Sequence, residues 1–172
     1  MAEIILIDIT DVQLYRRIDP KFDMNRFNTF AFETQRVNLR ELLGSSLYYA
    51  FMADARTSGI YKDLLDGKSY LYNSETIQYY GIKPVLCYWW LAIAAREGDL
   101  FLSNIGAIQF VNNTQQSFEA AKEKERVALG YLQTAQTYAN DIIQFLNENS
   151  ASYPLWETGE ETNKTNFLTF KV

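Results

Sequence analysis

The chain has 172 residues, 48% apolar, 15% aromatic and 22% charged, with a formal net charge of −5. Its length suits one domain whose core needs neither disulfides nor metals. It has no histidine and one cysteine, Cys87, which excludes serine and cysteine triads and most zinc sites, and its 16 basic against 21 acidic residues disfavour a direct grip on duplex DNA.

Residues 3–9, Glu-Ile-Ile-Leu-Ile-Asp-Ile, are rich in β-branched side chains and predict a short strand or extended arm. The apolar stretch is brief and flanked by acids, unlike a secretory signal, and the lone cysteine fits an intracellular origin. Asp11 starts a helical turn through Tyr15 and Arg17, which Asp19-Pro20 interrupts. Asp23 or Asn25 caps a helix running to about Leu43 and stopped by Gly44. On its wheel Thr29, Glu33, Arg36 and Arg40 share one narrow arc. Phe27, Phe30, Ala31, Phe32, Val37, Leu39, Leu42 and Leu43 fill most of the rest, so the helix is covered on more than one side. Gln35 and Asn38 fall within that apolar arc and need partners if buried. Ser45 or Ser46 caps a second helix, Leu47 to about Arg56.

Residues 59–74 read as a loop with room for a single helical turn, and Ser74 caps a short helix, Glu75 to Tyr80, broken by Gly81. Pro84 sits in the first turn of the next helix, which ends near Gly98. Its run Val85 to Ala95 is apolar all round, which predicts the central helix of a bundle. The run is far shorter than the roughly 20 residues a membrane span needs. Residues 100–113 suggest a hairpin or extended crossing. From about Gln115 to Asn147, Ala121, Ala128, Leu132, Ala135, Ala139, Ile142 and Leu146 form a heptad-like seam, with Lys122, Arg126, Gln133, Thr137, Asn140 and Gln144 opposite. Beyond it the apolar Tyr153-Pro154-Leu155-Trp156, a polar stretch over 157–165 and a strand-like 166–172 follow. The expected fold is mainly α: a helical bundle with a long C-terminal helix, a short β hairpin or extended crossing, and extended N- and C-terminal arms. Residues 1–149 form the helical domain with its arm, and 150–172 an extended tail.

Candidate chemistry is thin. Cys87 lies inside the apolar run and reads as a buried structural thiol. Glu123 and Glu125, and Glu160 with Glu161, read as solvated charge rather than a catalytic pair. Asp63 and Asp66 beside Gly67 resemble a fragment of a calcium loop without its closing glutamate. Tyr88-Trp89-Trp90 reads as core, with an aromatic ligand pocket in a small helical binding module as the alternative. The two ends carry more. Ile4, Ile5, Leu6 and Ile7, with Tyr153, Leu155, Trp156, Phe167, Leu168 and Phe170, are large apolar residues outside the helical pattern. They either fold back on their own bundle or fasten a neighbouring subunit, by strand addition or aromatic anchors.

The order of elements resembles a known family. A short arm leads to a helix ending Leu39-Arg-Glu-Leu-Leu-Gly-Ser-Ser-Leu-Tyr48, and a central apolar helix follows Gly81-Ile-Lys-Pro84-Val. A Gly-containing extended stretch precedes a long last helix and a loose tail. Over roughly residues 20–148, and most in Leu42 to Tyr48 and Gly81 to Ala95, this is similar to head–tail connector (adaptor, ring) proteins of tailed bacteriophages. It is more narrowly similar to ring proteins below the portal in phages of gut Bacteroidetes, including crAss-like phages. The resemblance implies a virion structural protein at the head–tail interface, made in the host bacterial cytoplasm. It implies a homo-oligomeric ring, typically of twelve copies, stacked on a portal protein and meeting other tail or ring proteins. It also implies DNA passing through the channel without specific binding, no cofactor, no metal, no catalysis and no membrane.

Overall fold

The computed structural model describes residues 4–18, 22–57, 59–97 and 114–157, with side chains in the last stretch from 121 onward. The Asp19-Pro20 break, the hairpin or crossing over 100–113, and the tail strand over 166–172 lie outside them.

The described chain is mainly helical, with one two-stranded sheet. α1 (Ile9–Gln13) starts two residues before Asp11, because Asp8 caps it. The Asp8 carboxylate accepts from the backbone of Thr10 and Asp11, and Asp11 answers by accepting from the Asp8 N–H, a capping box. α2 (Met24–Glu33), capped by Asp23, passes without a break into a π-helical segment, Thr34–Leu39, and then α3 (Arg40–Leu43), which ends at Gly44. The wider π turn shifts the phase of the wheel. Gln35 turns fully inward, whereas Val37, assigned by a regular helical spacing to the apolar arc, is 57% exposed. Thr29, Glu33, Arg36 and Arg40 stay outside as expected.

α4 (Ser45–Asp54) follows directly. α5 (Ile60–Asp66) is a full short helix where the sequence suggested a loop with one turn. The expected helix over Glu75 to Tyr80 is a strand. β1 (Lys68–Tyr72) and β2 (Glu75–Tyr79) pair antiparallel, with Tyr72 opposite Glu75. Asn73 and Ser74 between them have φ of 50° and 69°, the paired left-handed conformation of a type I′ turn. The turn sends residues 75–79 back along β1, where their backbone groups are met by a ladder instead of a helix, so the hairpin wins.

α6 (Lys83–Glu97) is buried from Pro84 to Ala95 and is the central helix. α7 (Thr114–Glu148) packs along it. The α7 seam is buried from Ala128 through Leu146, while Ala121 is exposed. Small alanines at 128, 135 and 139 let the two helices approach closely, so the apolar circumference of α6 is covered by α7 on one side and by α1, α2 and the π segment on the others.

Candidate interaction surfaces

The centre of the molecule is filled with rings. Trp90 is held by Phe22, Phe27 and Phe30 at centroid distances of 5.2, 5.0 and 6.1 Å, and its indole N–H donates to the Phe27 carbonyl at 3.1 Å. Tyr88 stacks on Tyr138 at 5.7 Å and meets Tyr15 at 5.2 Å. Burial pushes the Tyr15 hydroxyl up to about 12. Tyr88, Trp89 and Trp90 are all buried in this core, and Tyr88 and Trp90 are in ring contact with side chains of other elements. Cys87 beside them is buried, and desolvation pushes its thiol far above the ordinary range, the setting of an inert structural thiol.

The N-terminal arm lies on its own bundle. Leu6 and Ile7 are each 1% exposed, Ile5 packs partly against the core, and Ile4 is 40% exposed. The arm pairs with side chains instead of a strand. The Gln35 amide donates to the Ile4 carbonyl at 3.0 Å and accepts from the Leu6 N–H at 2.6 Å, and the Arg56 guanidinium donates to the Ile5 carbonyl. Gln35 thus copies the donor and acceptor of a strand neighbour, which is why a glutamine can be wholly buried here.

The first residues after α7 also fold back. Ser150–Ser152 form a 3₁₀ turn. Tyr153 is buried against Phe145 at 5.8 Å and Tyr61 at 6.4 Å, with its hydroxyl donating to the Ile60 carbonyl at 2.9 Å. Trp156 is buried and donates to the Asn147 side-chain oxygen at 2.8 Å, while Leu155 between them is 42% exposed. Residues 150–157 therefore continue the body, in place of the extended tail expected from residue 150. Leu6, Ile7, Tyr153 and Trp156 already pack within their own subunit, which leaves Ile4 and Leu155 as the exposed ones of the expected interface set. Phe167, Leu168 and Phe170 lie outside the described residues.

Charged candidates are paired. Glu123 forms a two-pronged contact with Arg126, and Glu125 lies 3.9 Å from Arg96. Glu160 and Glu161 lie outside the described residues. Asp63 meets Lys68 at 3.2 Å. Lys83 bridges Asp66 at 3.0 Å and Asp11 at 3.6 Å, tying α6 to α5 and α1. Among the described residues no group of acidic or cysteine side chains is placed to hold a metal, and no helix is long and apolar enough to cross a membrane.

The surface that sequence reasoning missed is the hairpin. Its inner face carries Lys68, Tyr70 and Tyr72 opposite Tyr79, Ile77 and Glu75. Phe145 of α7 stacks flat on Tyr79 at 4.0 Å and meets Tyr70 edge-on at 5.1 Å. Burial lifts the Tyr79 hydroxyl well above its ordinary value, and that hydroxyl donates to the Leu64 carbonyl at 2.9 Å. The outer face carries Ser69, Leu71, Thr76 and Gln78, with Leu71 71% exposed. Beside the tip a groove of about 400 Å³ is lined by Tyr72 and, on α7, by Asn140, Ile143, Gln144, Asn147 and Glu148. The alternation over 68–72 and 75–79 around Asn73-Ser74 was the available signal for this element.

A family sequence profile matches residues 39–166, described as a family of unknown function, DUF6712. The chain belongs to this family. The matched stretch includes the hairpin, α6 and α7, and leaves the arm and α2 outside it. Comparisons with curated proteins and with solved structures gave no match.

Proposed function

We propose that this DUF6712 chain is a virion structural protein, one subunit of an oligomeric head–tail connector ring that joins the portal to the tail and extends the DNA channel. The observation that carries the reading is the hairpin. A body filled at its centre by its own aromatic rings presents an outward strand face that carries Leu71. Such a body works through its surfaces. Leu14, Val37, Tyr49 and Tyr80 are further exposed apolar side chains that subunit contacts could cover. The net charge of −5 suits a wall that DNA passes without adhering. The resemblance in Leu42 to Tyr48 and Gly81 to Ala95 supports the same assignment. The ring is made in the host cytoplasm, carries no cofactor, and ends in the virion between portal and tail.

Sizing and negative-stain imaging, with the chain alone and with a portal protein, test this. Rings in either preparation support the proposal. A strict monomer in both ends it.

A further inference from the structure

We propose that Arg40, stacked on the Tyr49 ring, docks into the groove between the hairpin and α7 of a second copy and pairs there with Glu148. This rests on the ring reading above and names the contact between neighbouring subunits. The groove supplies the anion. Glu148 lines it, half-buried, and its carboxylate accepts from the Tyr70 hydroxyl and, at 2.9 Å, from the Gln144 amide. Both donors are neutral, and no described cation lies within ion-pair distance of Glu148. Hydrogen bonds therefore hold the carboxylate in place without cancelling its charge. Tyr72 and Ile143 line the same groove, whose volume of about 400 Å³ admits more than one side chain.

The other patch supplies the cation. Arg40 is exposed at the start of α3. Its guanidinium carbon lies 5.5 Å from the centre of the Tyr49 ring, and its Nε donates to the Ser45 hydroxyl at 3.3 Å. Among the described residues no carboxylate pairs with it. A guanidinium resting on a ring is already oriented, and its two terminal nitrogens fit a carboxylate. Tyr49 is 59% exposed, and Val37, close by in sequence, is exposed as well. Arginine and tyrosine beside an apolar side chain make the usual composition of an interface anchor. Each patch holds what the other lacks: a carboxylate without a cation beside one tyrosine, and a guanidinium without a carboxylate on another. Arg40 and Glu148 do not pair within one subunit, so the match is between copies. Two different patches that fit each other give a head-to-tail contact, which each copy repeats until the ring closes.

Sedimentation of the full chain over a concentration series, in the preparation that gives rings, tests it. Arg40→Glu and Glu148→Arg each raise the concentration of half-assembly about tenfold or more. An equal mixture of the two variants recovers assembly, because alternating copies then meet across one reversed pair and one original pair. Glu148→Gln keeps the size of the side chain and an acceptor for Tyr70. It also weakens assembly, and adding Arg40→Met to it brings no further loss, a coupling that is read even where Glu148→Arg melts lower. Rings that form as before in either single variant overturn the contact and assign the groove to another occupant. So do losses that add in the double variant, and a mixture of two folded variants that does not recover. An unaltered chain that stays monomeric alone and with a portal protein overturns the contact and the ring reading together.

Discussion

Gly67 and Gly81 stand back to back at the neck of the hairpin. A Cβ on Gly67 would lie 2.5 Å from the Tyr79 carbonyl oxygen, and a Cβ on Gly81 would overlap the Leu65 carbonyl. Both have positive φ, 91° and 86°. The two chain segments cross here at backbone contact, and the Ile82 N–H donates to the Leu64 and Leu65 carbonyls at 3.0 Å. The crossing fixes the angle at which the hairpin leaves α5 and re-enters α6.

Gly67→Ala and Gly81→Ala each combine backbone strain with a clash against peptide atoms, and each lowers stability by about 2–4 kcal/mol. Gly130→Ala is the control. Gly130 lies inside α7 with nothing within 4 Å of an added Cβ, so alanine gains about 0.5–1 kcal/mol there. Urea unfolding of the three variants checks both signs.

Gln35→Ala removes two of the three side-chain bonds that hold the arm, leaving that of Arg56, and leaves the Leu6 N–H buried without a partner. The expected loss is about 1–3 kcal/mol. Faster tryptic cleavage at Arg16 and Arg17 than in the unaltered chain is the accompanying local readout. Equal cleavage rates and equal stability would mean that apolar packing of Leu6 and Ile7, with the Arg56 bond, retains the arm.

The Lys83 cluster gives stability a defined pH dependence. Burial opposes the Asp66 charge, but hydrogen bonds from Lys62 and Lys83 outweigh it and hold the carboxyl below its ordinary 3.8. Burial likewise opposes the Lys83 charge, and the carboxylates of Asp66 and Asp11 outweigh it, raising Lys83 above 10.5. The depressed acid stabilises the fold above its unfolded value and loses that contribution as pH falls through the lower folded value. The raised lysine stabilises below its unfolded value and loses its contribution as pH climbs through the higher one. Lys83→Met flattens both limbs of a plot of melting temperature against pH. The groups are about a third exposed, so the change is modest and shrinks in salt.

Phe145→Ala removes the ring shared by Tyr70, Tyr79 and Tyr153. It costs about 3–5 kcal/mol and loosens the hairpin and the chain after α7 together, because one side chain anchors both. Loss of amide protection at both places, seen in one exchange experiment, checks the coupling.

Leu71→Asp touches only the outer hairpin face. Its effect on monomer stability stays within about 0.5 kcal/mol, while ring formation weakens if the hairpin is a subunit contact. Rings assembling as before would move the contact to another face.

The helical body was legible because its signals are local. Gly44 stops a helix wherever it falls, Pro84 opens one, and the apolar run from Val85 to Ala95 and the α7 seam have few other ways to be buried. The hairpin was missed because Asn73-Ser74 lacks the glycine that usually marks such a turn, so Ser74 was read as a cap. Val37 was misplaced because a π turn changes the period within a helix, and nothing local in Thr34–Leu39 announces it. The seam also overreached at Ala121, which carries the apolar spacing but is exposed.

By itself, the sequence determined the helical class, the central place of α6, the long α7 and the structural character of Cys87, all of which follow from composition and period along the chain. Only the tertiary structure decided that Gln35 serves as a strand neighbour to the arm, that Tyr153 and Trp156 belong to the body, and that Leu71 faces solvent. Each of these depends on which distant segment lies alongside, and apolar periodicity shows that a surface must be covered without naming what covers it.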